Sequence, residues 1–534
     1  MDTALTRFRP RTRHGALRAI VAAGAAGALI ASLAACGTDG ETNTDTGAGS
    51  AQTTLTIGQR QPVTNMDPHT TNPPSYAFPA YATPIFLAPD GTLVADLATD
   101  WGYTDDQNTV FEFTLRDGVV FSDGDELTAD GVVDSLERFL SLENNSNLAS
   151  AGPVEAIAAV DDDTVRITYT EPFPNAAVSL TQDWNFGFII SPTGLADPSI
   201  LATETHGAGQ YVLDASQTVT DSVYTFTKNE NYWNPEAQKF ETVVLKPIPD
   251  DAAQLAALQS GEIDYANNVS SLNVQSAKDS GFTYSSSAGI VWFLMLQERD
   301  SAPLQDVRVR EAISLAIDRE SIVSAIFSGL GQAQSSIVSA GQTGSYQSTV
   351  DAQDIARAKE LLADAGYADG FTISALDTDA LDANSAFASA LAAQLAEIGI
   401  TLELNVVSGS FDTFLGSLFG RENDTTAFPL QNIDLYYQYM LNLGPGALAN
   451  VAGTTDDTIT AAIQAAAVSS EADRDAAYTE MAKAYDEAFW NIPVALSSTN
   501  HLYVSTMKNF AESSVQSTPN GFGPDADLSW EISG

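Results

Sequence analysis

The chain of 534 residues has a single cysteine, Cys36, which excludes an internal disulfide framework and any site built from several thiolates. Its four histidines, His14, His69, His206 and His501, are scattered, and none pairs with another at a metal-ligand spacing such as HExxH. Positive charge is also scarce: 23 Lys and Arg stand against 69 Asp and Glu, a formal charge of -46. Such a chain is repelled by nucleic acid phosphates and anionic headgroups, so no nucleic acid partner is expected. Beyond the N-terminal region no apolar run reaches the ~18 residues of a membrane helix, which excludes a polytopic membrane protein. Catalytic signatures are missing as well. There is no Gly-x-Ser-x-Gly elbow and no phosphate-cradling GxxxxGK[ST]. The Ser-x-x-Lys at Ser505 to Lys508 lacks a following Lys-Thr-Gly and reads as a polar strand or loop. Carboxylate pairs for glycoside hydrolysis stay open, because their separation is a spatial property. The expectation is a non-enzyme with no cofactor and no metal.

The N-terminus is where charge of the other sign collects. Arg7, Arg9, Arg11, Arg13 and Arg18 precede an uncharged apolar run over residues 19–35, the pattern of a secretory signal. The arginines are never adjacent, which favours the general secretory route over the twin-arginine one. The run ends Leu33-Ala34-Ala35-Cys36-Gly37 and resembles the bacterial lipobox, in which the cysteine is lipidated and becomes the new N-terminus; the other reading of Cys36 is a free thiol. Removing residues 1–35 takes away five arginines and one aspartate, leaving 499 residues with 18 basic and 68 acidic side chains, a charge of -50. Residues 37–53 hold Gly, Thr, Ser and acidic residues with no large apolar side chain, a flexible tether spanning about 20–25 Å. The expected location is extracytoplasmic, with the lipid on the outer face of the cytoplasmic membrane.

From Leu55 onward the pattern is mixed α/β. Period-two alternation marks strands at Leu55 to Ile57, Val110 to Leu115, Thr164 to Tyr169, Tyr224 to Phe226 and Thr401 to Val406. Helical spacing marks Val309 to Ile317, 352–365 ending at Gly366, and 386–398 ending at Gly399. Helix followed closely by strand predicts an α/β lobe with a mainly parallel sheet in the C-terminal half. A last helix, Asp473 to Trp490, puts Tyr478, Met481, Tyr485 and Phe489 on one side, a stripe that reads as core. The acidic clusters Asp161 to Asp163 and Asp123 to Glu126 lack the ligand spacing of a calcium loop and read as solvated turns.

Several motifs in order resemble bacterial extracellular solute-binding proteins of family 5, the receptors of oligopeptide, dipeptide and nickel ABC importers. They are Pro62 to His69 (PVTNMDPH), residues 97–139 (LATDWGYTDDQNTVFEFTLRDGVVFSDGDELTADGVVDSLERF) and Gly207-Ala208-Gly209-Gln210-Tyr211. Asn231-Tyr232-Trp233, Ala257 to Tyr265 (ALQSGEIDY), residues 303–323 and residues 358–371 complete the series. The resemblance covers essentially all of 54–510. It implies a two-lobe, type II periplasmic-binding-protein-like α/β fold with an additional domain, three domains around a cleft. Lobe I would combine 54–75, 205–292 and 500–534, domain II would be 76–204, and lobe III 293–499. It further implies a monomeric receptor that binds a peptide or similar small organic solute and hands it to ABC permease subunits with cytoplasmic ATPases. An oligosaccharide-binding member, a surface lipoprotein hydrolase and a receptor without a transporter are the alternatives.

Peptide-binding members hold the peptide's amino group with an aspartate inside Trp-x-x-Asp-Tyr-x-Asp-Pro, and that motif is absent from residues 426–453. Asp434 is the nearest counterpart, followed by Tyr436, Tyr437 and Tyr439. Asp434 would either meet a ligand ammonium or cap a helix, and the tyrosines would either contact ligand or pack. Trp184, Trp292 and Tyr211 complete the candidate ligand contacts, with core packing the competing role of the tryptophans. Nickel is disfavoured by the histidine spacing.

Overall fold

The computed structural model describes residues 52–143, 145, 147–297, 301–348, 352–379, 381–382, 385–408, 411–513 and 518–533. The expected export signal, the lipidation site Cys36 and the tether up to residue 51 lie outside the described residues. Among the described residues no helix is long and apolar enough to cross a membrane.

Alternation builds the smaller of two principal sheets. Along Val110–Leu115 the side chains of Phe111, Phe113 and Leu115 turn inward and are buried. The strand pairs with Ala98–Tyr103 on one side and Thr164–Tyr169 on the other, and Val154–Ala159 completes a four-stranded antiparallel sheet. Helix Ala129–Ser141 covers it. Thr128 caps this helix by accepting from the Gly131 amide at 3.2 Å, and Val132, Leu136 and Phe139 form the buried stripe.

The larger sheet has eleven strands among the described residues. Its spatial order runs Ile400–Val407, Phe371–Thr378, Thr425–Gln431, Thr283–Leu296, Asn491–Tyr503, Tyr265–Ala266, Thr54–Gln59, Thr242–Pro247, Tyr224–Lys228, Tyr211–Leu213, with Gly331–Ala333 also pairing Asn491–Tyr503. In the C-terminal half the expected mainly parallel sheet is confined to three strands: Phe371–Thr378 lies parallel to Ile400–Val407 and to Thr425–Gln431, while elsewhere in the sheet Thr54–Gln59 lies parallel to Thr242–Pro247 and Tyr265–Ala266. The long central pair is antiparallel, because its two strands carry the chain in opposite directions across the molecule. Helices Ile355–Asp364 and Ala386–Ala396 flank the parallel part, and the glycines after them, Gly366 (φ 89°) and Gly399 (φ 88°), take the left-handed conformation that ends a helix. The last helix is shorter than expected, Arg474–Ala488. Phe489 turns left-handed (φ 52°), and Ile492 and Pro493 already belong to the next strand.

Part of the acidic excess has a local structural use. Asp250, Asp306, Asp318, Asp354 and Asp456 each precede a helix and accept hydrogen bonds from its first amides. A carboxylate there satisfies otherwise orphaned donors and complements the helix dipole. The Asp161 cluster is a turn, with the Thr164 amide donating to Asp161 at 2.8 Å.

The Asp123 cluster is more than a solvated turn. Asp123 accepts from Ser191 Oγ at 2.5 Å and pairs at 2.8 Å with His206 Nδ1, while Glu204 lies 3.4 Å from His206 Nε2. His206 is held beside the Gly207-x-Gly209 motif, where a Cβ on Gly207 would stand 2.3 Å from the Ala80 carbonyl oxygen. The two carboxylates raise the His206 pKa above its ordinary 6.5, the hydrogen bond to Asp123 contributing most. A raised folded pKa adds stability that is fully present below the ordinary value and is lost as pH rises through the folded one. The melting temperature should therefore carry a component that falls as pH is raised from about 6.5. His206→Gln should remove it; a His206→Gln profile parallel to wild type over pH 6–9 would show that the ion pair has no part in stability.

Candidate ligand site

The central pair of strands joins the two halves of the large sheet. Thr283 to Ala288 pair with Ser498 to Tyr503, next to Tyr265–Ala266 and the 54–59 strand. Val291 to Leu296 pair with Asn491 to Leu496 on one side and with Thr425 to Leu430 on the other. The register breaks between Ala288 and Val291. There Ser497 splints the gap, its Oγ accepting from the Ile290 amide at 3.2 Å and donating to the Ile290 carbonyl at 3.1 Å. Gly289 is required at this point, since a Cβ would lie 2.2 Å from the Ser497 carbonyl oxygen. A β-irregularity in two crossing strands concentrates bending at one place.

A second junction lies between residues 98–184 and residues 434–478, and it holds most of the sequence-derived candidates. Asp434 caps the short helix Leu435–Gln438: its Oδ1 accepts from the Tyr436 amide at 2.8 Å and the Tyr437 amide at 3.3 Å. The same Oδ1 accepts from Asn175 Nδ2 at 2.6 Å, and Asn175 Oδ1 accepts from the Tyr478 hydroxyl at 2.9 Å. Tyr436 donates to the Pro172 carbonyl at 3.1 Å and Tyr437 to the Ser150 carbonyl at 2.7 Å. Trp184 lies on the Tyr437 ring with centroids 4.5 Å apart. Asp434, Tyr436, Tyr437 and Trp184 thus come together. Burial raises the Asp434 carboxyl above the ordinary range, opposed by the Asn175 bond, by the two helix amides and by the Arg474 charge. The side chain nevertheless keeps partial contact with solvent, and its Oδ2 makes no hydrogen bond among the described residues.

Trp292 and Tyr211 are not part of this group. Trp292 packs between Phe327 and Phe387, centroids 5.8 and 5.0 Å away, in the core of the parallel half-sheet. Tyr211 is 1% exposed in another core, beside Phe522, with its hydroxyl accepting from the Phe240 amide at 3.1 Å. Both rings are packed by their neighbours, although the Trp292 Nε1 is buried without a hydrogen-bond partner among the described residues.

Residues that the sequence reading passed over also stand here. Asn175 and Tyr478 complete the hydrogen-bond chain from Asp434. Asp183 sits in the turn from Thr181 to Trp184, where the Trp184 amide donates to the Thr181 carbonyl at 3.2 Å. The turn is pinned by Gln182, bonded to the Leu87 amide and carbonyl, and by Asn185, bonded to the Pro68 and Thr71 carbonyls. Asp183 keeps partial exposure, yet burial among protein atoms pushes its carboxyl up to about 7. Only its position beside Trp184 could have signalled it. Beside the junction a cavity of about 520 Å3 is lined by residues including Trp101, Tyr103, Asn108, Val468 and Arg474. That volume is within the ~300–1,000 Å3 of small-molecule sites.

Comparison with known proteins agrees with the sequence motifs. Residues 92–438 match the family described as Bacterial extracellular solute-binding proteins, family 5 Middle. The glutathione-binding protein GsiB of Salmonella typhi is 28% identical over 313 residues, 57% of this chain and 60% of that protein. The dipeptide-binding protein of Escherichia coli is 27% identical over 308 residues, 53% of this chain and 56% of that one. The aligned region therefore spans about 60% of the curated relatives' length. Among solved structures, HbpA2 from Haemophilus parasuis superposes with a TM-score of 0.76 at 22% identity, covering 90% of this chain and 99% of that one. The periplasmic binding protein DppA from Helicobacter pylori, in complex with the peptide STSA, superposes with a TM-score of 0.67 at 22% identity over 91% and 99%. The expected periplasmic-binding-protein-like α/β fold is present. With its motifs, its two half-sheets on one crossing pair of strands and this match, the chain belongs to the bacterial extracellular solute-binding proteins of family 5.

Proposed function

We propose that the chain is the solute-binding receptor of an ABC importer, capturing a peptide or similar small organic solute between its lobes and delivering it to a membrane permease. The observation that carries this reading is the bent crossing of Thr283–Leu296 and Asn491–Tyr503 at Gly289 and Ser497. Two strands whose register shifts between Ala288 and Val291 and again between Trp292 and Phe293 can let half-sheets tilt as bodies, and solute binding then selects the closed state. In this reading lobe I combines 54–75, 205–292 and 500–534, domain II is 76–204, and lobe III is 293–499. Asp434 and Trp184 face the solute, with Asp434 Oδ2 meeting an ammonium, while Tyr436 and Tyr437, 7% and 0% exposed, back them from the core. The mature protein is a monomer, anchored through a lipidated Cys36 to the outer face of the cytoplasmic membrane and docking on permease subunits with cytoplasmic ATPases.

Relatives named for glutathione and dipeptide binding support a peptide-type solute. The test is thermal denaturation of the mature chain with pools of short peptides, amino-acid derivatives and oligosaccharides. A ligand at a hundred times its Kd should add about 2.7 kcal/mol of stability without turnover. A shift with oligosaccharides alone would replace the peptide class, and product formation in place of a shift would sink the receptor reading.

A further inference from the structure

Arg474 stands apart from the other described arginines. Arg60, Arg138, Arg166, Arg308 and Arg357 pair with carboxylates. Arg116, Arg310 and Arg319 donate to backbone carbonyls, and Arg421 also has a partner. Among the described residues Arg474 makes no hydrogen bond and no ion pair, and its Nε is buried without an acceptor. Its charge reaches Asp434 only through space. In a chain with three acidic groups for each basic one, a guanidinium kept unpaired is not short of carboxylates.

At the helix itself the position is unfavourable. Arg474 opens the helix Arg474–Ala488, which has no side-chain cap, and a cation in the first turn opposes the helix dipole. The residue lines the 520 Å3 cavity, where Trp101 and Tyr103 supply aromatic wall. Asp106 and Glu471 are exposed members of the same lining, and their carboxylates make no hydrogen bond among the described residues. Two other acids there are already engaged: Asp105 holds the Thr109 and Val110 amides, and Asp473 accepts from Ser470 Oγ at 2.7 Å.

We propose that this cavity is a binding site for a small organic zwitterion, whose carboxylate takes the Arg474 guanidinium and whose ammonium takes Asp106 and Glu471. An isolated anion would meet the acidic lining and an isolated cation would meet Arg474, so a solute carrying both charges is the one the lining favours. A guanidinium recognises a carboxylate through two parallel N–H donors, which matches the unfilled Arg474 group. The cavity also bridges the junction: Trp101, Tyr103 and Asn108 come from one side and Val468 to Arg474 from the other, next to the bonds from Asn108 Nδ2 to the Ala467 and Ser469 carbonyls, both 2.9 Å. A zwitterion there would tie the two sides together, a role separate from capture of the transported solute.

The experiment is calorimetric titration of the mature chain with γ-aminobutyrate, β-alanine and L-alanine, against butyrate and butylamine as single-charge counterparts. At least one zwitterion should bind about tenfold more tightly than either counterpart, and Arg474→Gln should weaken it by at least about tenfold. Arg474→Lys should recover part of the loss, and Asp106→Asn with Glu471→Gln should weaken zwitterions while sparing butyrate. The melting temperature of unliganded Arg474→Gln should be no lower than wild type; should that variant fail to fold, the Asp106→Asn and Glu471→Gln pair decides. Equal binding of butyrate, unchanged affinity in Arg474→Gln, or no binding of any probe at millimolar concentration would overturn the site. Because capture of peptide pools is read separately, a negative result here leaves the receptor reading standing.

Discussion

Gly289→Ala should lower stability by about 1–3 kcal/mol, an effect of overpacking rather than of a lost contact. The added Cβ would stand 2.2 Å from the Ser497 carbonyl oxygen and 2.8 Å from its carbon, both main-chain atoms of the partner strand. No flexible side chain can yield there, so one of the two crossing strands has to move. The movement falls where the ladder is already interrupted and where Ser497 bonds both the Ile290 amide and its carbonyl. The denaturation midpoint should drop with the m-value unchanged, and solution scattering should report an altered lobe separation. Ser497→Ala, which removes the splint without adding an atom, should cost about 1 kcal/mol. If Gly289→Ala matched wild type in both midpoint and scattering, the crossing would not be the bending point and the receptor reading would lose its structural basis.

The same strand explains which parts of the molecule could be read from sequence. Thr283–Leu296 changes character at Gly289: Ser285, Ser286 and Ser287 precede it, and Val291 to Leu296 follow as an unbroken buried apolar run. Residues on such a run are covered on both sheet faces, so alternation disappears and the strand cannot be told from a buried helix by periodicity. That is also why Trp292 drew attention as a ligand contact, although Phe327 and Phe387 enclose it. Strands with one covered face, such as Val110–Leu115 and Thr164–Tyr169, were legible to the residue. The family motifs carried fold class for a related reason. Gly207 and Gly209 are there because the Ala80 and Tyr81 backbone approaches them, which is scaffold geometry shared by unrelated ligand choices.

The candidate site was legible only as single residues. Asp434 could be read as a cap or as a ligand contact, and the structure places the capping bonds on Oδ1, with no hydrogen bond to Oδ2 among the described residues. Its partner Asn175 is 259 positions away, and Tyr478 a further 303 from Asn175. No local pattern announces such pairings, because they arise only when segments distant in the chain are folded against one another. Arg474 was equally silent: its oddity is the lack of a partner, which a sequence does not display.

Asp434→Ala should therefore cost stability as well as ligand binding. Alanine removes the acceptor for two helix amides, a cap contribution of about 0.5–2 kcal/mol. It also leaves Asn175 Nδ2 without its acceptor inside the junction, an unsatisfied buried donor costing about 1–3 kcal/mol. A combined loss of roughly 2–4 kcal/mol follows, the two parts sharing some of the same relaxation. Asp434→Asn separates structure from recognition. Its side-chain oxygen can keep the cap and the Asn175 bond, so stability should stay within about 1 kcal/mol of wild type, while the charge that an ammonium would meet at Oδ2 is gone. Affinity for a cationic-amine solute should fall by at least about tenfold in Asp434→Asn. A destabilised Asp434→Ala beside an Asp434→Asn that binds as wild type does would leave Asp434 as a helix cap and move ammonium recognition to another carboxylate, Asp183 being the one that stands beside Trp184 with no hydrogen bond or ion pair among the described residues.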